Sequence, residues 1–329
     1  MNILREIISA SISLGDLQCV KGLGVIPILA EAVPQMQELE PLETALGKGF
    51  ARITETGPTG EVPFLLLENT GERPIIILDG EEVVGGKQNR IINTTLVILA
   101  NTAVKIPVSC VQAGRWRHER ADFQSTGSVF RARSRATQMA TVTHNVLESG
   151  NFRSDQHAVW DEVSETLGEL GVESSTSDFL DGRERVAHRL EEFVEGIRPA
   201  GNQVGAIFLH AHGILGLEML GTPALFAKAC DKVTRSFAFE ILNTPDLNRA
   251  STEAAKKWWD TVLKSPVTGH DSPGAGVDFR VGTEDLIGSG LIWKGVVVHF
   301  SCFPNVRPRN QRRATAGQRR RNLRAAQSD

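Results

Sequence analysis

The spacing of hydrophobic and polar positions changes period part-way along this 329-residue chain. Up to about residue 125, short β-branched runs at 49–56, 62–67, 75–78, 91–99 and 104–111 are separated by Gly, Pro, Asn and Asp. That pattern predicts strands in an antiparallel sheet, sandwich or barrel. From about residue 127 the period becomes helical. Segment 178–197 repeats Val186, Leu190, Phe193, Val194 and Ile197 at intervals of three and four, which predicts an amphipathic helix. A second helix opens at Thr222-Pro223, with Thr as N-cap and Pro in the first turn, and carries Phe226, Ala229, Val233, Phe237 and Ile241 along one face. A third covers 254–263, the Pro, Gly and Ser of 265–276 predict a loop, and 291–301 returns to strand. The expected fold class is therefore α+β: an N-terminal antiparallel β-rich sheet or sandwich, then a mixed helical and strand half packed against it. The expected division is 1–126, 127–306 and a basic tail at 307–329.

Between the predicted strands lies a run of polar residues that a core has no use for. It reads Asp79-Gly80-Glu81-Glu82 and then Gly85-Gly86-Lys87-Gln88-Asn89-Arg90. Asp79-Gly80 carries the signal of a type I′ hairpin, which would pair 75–78 with 81–84. Side chains alternate along a strand, so Glu81 and Glu82 should face opposite ways, while the Gly pair allows a bulge or close backbone approach to a ligand.

Composition narrows the setting. With 41% hydrophobic and 23% charged residues and no apolar run near ~20 residues, membrane-spanning helices are not expected. Residues 1–18 interrupt their apolar positions with Arg5, Glu6 and Asp16 and show no secretory pattern, so the cytosol is the expected location. Cys19, Cys110, Cys230 and Cys302 are far apart, as reduced thiols would be. Tyrosine is absent, so stacking falls to Trp, Phe or Arg. The net charge of −3 hides an asymmetry: eight Arg against one Asp at 307–329 give +7, leaving −10 for residues 1–306. Such a tail is expected to be solvated and disordered, either without an ordered role or in nonspecific contact with nucleic acid.

Lys87 and Arg90 suit phosphate or carboxylate, and Gln88 and Asn89 add directional donors and acceptors. These groups equally suit a buried network that neutralises itself. Gly114-Arg115-Trp116 follows a strand and offers either a guanidinium beside a stacking ring or a Trp that anchors the sheet edge. Cys110 falls on the face of Val104, Ile106 and Val108 and is expected to be packed. His210 and His212, with Glu218 and His299 as further donors, raise a metal site without completing one.

These residues together resemble a known family. Residues 78–82, 85–93 (GGKQNRIIN), 106–110 (IPVSC) and 114–116 are similar to the domain family named for its association with ADP-ribosylglycohydrolases and rhodanese-like phosphatases. The similarity continues through 159–162, 205–242 and 298–303. The chain departs from the family pattern at Gln112, where an acidic residue is usual, and at Glu218, where Asp is usual. The resemblance implies a setting of ADP-ribose, NAD-derived nucleotides or nucleic-acid repair and defence, without fixing a reaction. The expected function is recognition, with or without processing, of an ADP-ribose-like or other phosphorylated nucleotide. Asp79 and Glu82 are the catalytic candidates, and Lys87, Gln88, Asn89, Arg90, Asn93, Arg115 and Trp116 the ligand-binding ones. No cofactor or metal centre is assigned; the expected partners are a small nucleotide-like ligand and, through the tail, nucleic acid. The alternative is a noncatalytic scaffold or sensor whose polar cluster is structural.

Overall fold

The computed structural model describes residues 12–57, 60–117, 120–244 and 251–305; the basic tail lies outside them. The architecture is α+β, built on three sheets. The largest runs β1-β3-β13-β14-β18-β17-β16-β15, with β2 also paired to β3. Its strands are β1 (Ile12–Leu14), β2 (Gln18–Val20), β3 (Leu23–Ala30), β13 (Gln203–His210), β14 (Gly213–Leu220), β15 (Val267–Asp271), β16 (Val277–Gly282), β17 (Leu286–Trp293) and β18 (Val296–Pro304). A three-stranded sheet orders β10 (Leu96–Ile98), β7 (Ile75–Ile77) and β4 (Glu40–Pro41). The third closes into a six-stranded antiparallel barrel, β11-β6-β5-β12-β8-β9, made of β5 (Ala51–Glu55), β6 (Phe64–Asn69), β8 (Glu81–Gly85), β9 (Arg90–Ile92), β11 (Thr102–Cys110) and β12 (Asp122–Val129).

Among the described residues six helices cover the sheets: α1 (Leu42–Gly47), α2 (Ala132–Ser149), α3 (Gln156–Leu170), α4 (Phe179–Gly196), α5 (Pro223–Ala238) and α6 (Thr252–Lys264). None of the helices among the described residues is long and apolar enough to cross a membrane. The starts of α4 and α5 follow local chemistry. Asp178 caps α4 by accepting from Leu180 N, and Thr222 caps α5 by accepting from Leu225 N, with Pro223 in the first turn. Apolar residues of α2 to α5 pack on one face of the large sheet and those of α6 on the other. The barrel lumen has its own core, including Ile53, Leu65, Leu67, Val83, Ile92, Ile106, Val108 and Phe123.

The expected boundary at 126/127 falls inside β12, and β1–β3 from the first segment lie in the sheet built mainly by the last. A single apolar cluster runs from Leu23 to Phe303. The run 91–99 breaks at Asn93-Thr94-Thr95 into β9 and β10, which belong to different sheets. The expected loop 265–276 contains edge strand β15.

Asp79-Gly80 does not make a hairpin. β7 pairs with β10 and β4, β8 with β9 and β12, and of the two turn residues only Gly80 has positive φ (81°). Glu81 N donates to Leu78 O at 3.2 Å, so this is a type II-like turn that passes the chain from one sheet to another. The type I′ geometry occurs instead at Lys294-Gly295, φ 50° and 79°, between the paired ends Trp293 and Val296. The expected single strand at 291–301 is thus a hairpin. Because Lys294 holds a left-handed conformation that Asn tolerates better, Lys294→Asn should raise stability by ~0.5 kcal/mol. Gly295→Ala should lower it by ~1 kcal/mol, both read as shifts of the urea midpoint at unchanged slope.

Candidate functional site

The barrel organises the polar signature by strand alternation. On β5 the inward row Ala51, Ile53 continues to Glu55; on β9, Ile92 leads back to Arg90; on β11, Ile106 and Val108 lead to Cys110; on β8, Val83 leads to Gly85. These ends lie at the same mouth of the barrel, so an apolar lumen terminates in a guanidinium, a carboxylate and a thiol. Gly85 and Gly86 are required there by close approach. A Cβ on Gly85 would meet Asp122 O at 2.3 Å, and one on Gly86 would meet Phe123 Cζ at 2.3 Å.

Arg90 is fully buried. Its Nη1 donates to Gln88 Oε1 at 2.9 Å, whereas Nε and Nη2 make no hydrogen bond to oxygen or nitrogen. The nearby carboxylate is Glu55, whose Oε1 accepts from Lys87 N at 3.0 Å and whose Oε2 is unpartnered. Burial lowers the Arg90 pKa, and the neighbouring Cys110 and Glu55 only partly oppose it. Burial likewise raises the Cys110 thiol, which agrees with a packed cysteine. That thiol lies beside the Trp160 indole, whose Nε1 makes no hydrogen bond of ordinary geometry.

The surrounding turn is held by its own side chains. Arg115 donates to Gln112 Oε1 (2.6 Å), Gly86 O (2.9 Å), Gly85 O (3.1 Å), Asn89 Oδ1 (3.1 Å) and Arg117 O (3.1 Å). Gln88 donates to Gln112 O, and Asn89 donates from Nδ2 to Asp178 Oδ2 at 2.8 Å. Lys87 Nζ lies 5.3 Å from the centre of the Trp116 ring, which is 52% exposed.

Glu82 faces away from the mouth. Its register partner is Ile91, whose side chain belongs to the helix-covered core, and it accepts from Thr126 Oγ1 (2.8 Å) and Arg183 Nε (3.2 Å). Glu81 pairs with Lys232. Burial raises the Glu82 pKa against the pull of Arg183. Asp178 is also pushed up, to about 7, chiefly by burial, with Glu82 and Asp181 adding and its bonds from Leu180 N and Asn89 opposing.

Asp79 belongs to another cluster. Its Oδ2 accepts from Arg135 Nη2 at 3.0 Å, and the same guanidinium grips Glu218 with two bonds of 2.9 Å. His299 Nε2 is 2.7 Å from Glu218 Oε1 and its Nδ1 is 2.6 Å from Thr95 Oγ1; Ser301 donates to Asp79 Oδ1. Burial would raise the Asp79 pKa, but Arg135 and then His299 hold it below the usual range. Asp79, Glu218 and His299 form the one group among the described residues spaced to hold a metal, and the Arg135 cation lies against both carboxylates. Glu218 and His299 thus join Asp79 rather than His210 and His212. Asn93 stands in a third cluster with Ser109, Gln138 and Ser154.

The sequence candidates therefore divide. Lys87, Gln88, Asn89, Arg90, Arg115 and Trp116 gather at the mouth; Glu82, Asp79 and Asn93 do not. Glu55 and Asp178 were not among the candidates, and Arg135, which the sequence offers either to a positive pocket or to a solvated helix start, is instead buried between two carboxylates. Glu55 was accessible from the alternation of Ala51-Arg52-Ile53-Thr54-Glu55, whereas Asp178 and Arg135 are brought in by tertiary packing.

The model of the ARG and Rhodanese-Phosphatase-superfamily-associated Protein domain (ARPP-1) matches residues 11–303, which span the barrel, the large sheet and every described helix. The chain belongs to this family. ARPP-1 is associated by name with ADP-ribosylglycohydrolase and rhodanese-phosphatase superfamilies, which is consistent with an ADP-ribose-related setting. No curated protein and no solved structure matches the chain.

Two outcomes follow for this ARPP-1 chain. Replacing Arg135 by Met leaves two buried carboxylates facing each other without their cation, and should cost ~3–5 kcal/mol in denaturant unfolding. The raised Asp178 means that the folded state holds its proton more tightly than the unfolded state, so its stabilisation is complete below pH ~4 and lost as pH rises toward about 7. Asp178→Asn, which keeps the N-cap, should reduce the fall in melting temperature across that window; an identical slope would contradict the assignment.

Proposed function

We propose that the barrel mouth recognises a phosphorylated, ADP-ribose-like nucleotide. The observation that carries this reading is Arg90: fully buried, with Nε and Nη2 making no hydrogen bond to oxygen or nitrogen and only the Cys110 thiol against the guanidinium, beside a Glu55 oxygen that is also without a hydrogen bond. A buried cation left so incompletely bonded costs folding free energy and gains its missing acceptors when a phosphate arrives. Trp116, exposed at the rim beside Lys87, offers a face for the base. Glu55 is the carboxylate placed to accept from ribose hydroxyls. For processing, it is also the carboxylate that shares the mouth with Arg90, since Asp79 and Glu82 face elsewhere. The ADP-ribose-related association of the family supports this ligand class.

The structural reading of the polar signature has its own support in Arg115 and Asp79, whose hydrogen bonds all go to the protein. The two readings part at Arg90. Under the ligand reading, replacing Arg90 by Met together with Glu55 by Gln removes an underbonded charge without leaving a buried carboxylate alone, so that ligand-free variant should melt at the same temperature or higher. The stabilisation given to the parent chain by ADP-ribose, ~2.7 kcal/mol at one hundred times Kd, should then disappear. A variant that melts several degrees lower, from a parent that no nucleotide stabilises, would place Arg90 in the structural class.

A further inference from the structure

The segments around the proposed nucleotide site carry a composition of their own. Trp116 is 52% exposed, and Arg117 and Arg120 beside it are exposed. Arg120 belongs to the mouth because its Cγ would lie 3.2 Å from a Cβ on Gly85, and Arg117 because its carbonyl accepts from Arg115. Across the mouth, Arg153 is exposed and stacks on Phe64, the first residue of β6, with its guanidinium 5.2 Å from the ring centre. Trp160 stands at the end of β11, half-buried with its indole beside the Cys110 thiol. The segment carrying it is fixed to that strand end by Gln156, which bonds both Cys110 N and Cys110 O at 2.8 Å.

Arginines beside an exposed ring are what a single nucleic-acid strand requires: a ring for a base and cations for the phosphates that flank it. The charge is local. Arg117, Arg120 and Arg153 add exposed cations to Lys87 around the mouth, with Arg120 paired to Asp122 at 3.4 Å, on a body of residues 1–306 that carries −10. A free mononucleotide needs only the mouth; it has no use for cations on both sides of it.

Resting on the reading of the mouth as a nucleotide site, we infer that the nucleotide it takes is the phosphorylated end of a single-stranded nucleic acid, whose following phosphates and bases lie along Arg117, Arg120, Arg153 and the Trp116 ring. The probes are a 5′-phosphorylated single-stranded octanucleotide, the same strand as a duplex, ADP-ribose, and an ADP-ribosylated peptide. Each is titrated against the full chain, the Arg90→Met variant and the triple variant Arg117→Gln, Arg120→Gln, Arg153→Gln. The octanucleotide should bind the full chain at least tenfold more tightly than ADP-ribose or the duplex. Three rim contacts predict that log K falls with log salt by a slope of about 2 more than in the triple variant. Comparison with the triple variant removes whatever the Arg-rich tail adds, because both chains carry it. The triple variant should lose that gain while binding ADP-ribose as before, and Arg90→Met should lose both ligands.

Equal affinity for octanucleotide and ADP-ribose, or a triple variant that binds the strand unchanged, overturns the inference and leaves the mouth intact. Tighter binding of the ADP-ribosylated peptide does the same in favour of a modified protein. If no nucleotide of any kind binds, or Arg90→Met binds them all as well as the parent, the mouth itself has been misassigned and the inference falls with it.

Discussion

The fold depends on one guanidinium. Arg135 projects from α2 into the seam where the turn after β7 meets the large sheet, and there it holds Asp79 on one side and Glu218 on the other. Glu218, His299 and Ser301 come from adjacent strands of the sheet, and Thr95 comes from the break between β9 and β10. A cluster fully out of water persists only when its charges and hydrogen bonds close on themselves. Here each carboxylate has the cation and at least one further partner. Gly80 belongs to the same arrangement, since a Cβ there would meet the Arg135 stem at 2.9 Å. The large sheet, the helical layer and the barrel unit are therefore registered to one another by a polar joint within an apolar core.

The mouth shows the opposite economy. Strand alternation fills the lumen with Ile, Leu, Val and Phe and then, one step further along several strands, changes to Glu55, Arg90 and Cys110. Nothing in packing requires that change, because an apolar residue at those steps would continue the lumen. The turn that carries Arg90 is braced from behind: Asn89 is bonded to Asp178, Arg115 is bonded across the turn, and Gly86 lies against Phe123. Bracing a loop while leaving its central cation underbonded is the division expected of a preorganised site, in which the supporting residues are saturated and the binding residue is not.

How much of this was legible in the sequence follows from the range of the signal. Local signals were read correctly: Thr222-Pro223 and Asp178 start helices, alternation sends Glu81 and Glu82 to different partners, and Cys110 is packed. The α+β class followed from the change of period. Signals that depend on partners were not legible. Asp79-Gly80 has the composition of a type I′ turn, yet its flanking strands pair with other strands, and tertiary pairing decides the turn type. Lys294-Gly295 makes the I′ turn with a lysine that composition does not mark. β3 is nearly continuous in apolar residues because it is covered on both faces, so it carries no alternation to identify it. The polar signature was visible as a group, but its division among three clusters follows from which face of each strand meets which helix.

Three arginines are among the largest fully buried side chains, and their surroundings separate structure from function. Arg135 faces two carboxylates. Arg280 has Asp278, bonded at 2.6 and 2.8 Å through Nε and Nη2, with Thr94 on the second of these nitrogens, while its Nη1 makes no hydrogen bond. Arg90 has two neutral neighbours, Gln88 and the Cys110 thiol, and a glutamate that uses one oxygen on the backbone of Lys87 and leaves the other unpartnered. Desolvation is severe for all three, so the difference lies in what offsets it. For Arg135 and Arg280 the fold supplies the anion. For Arg90 it supplies the enclosure and the neighbouring carboxylate but few hydrogen bonds, which is the difference on which the proposed phosphate site rests.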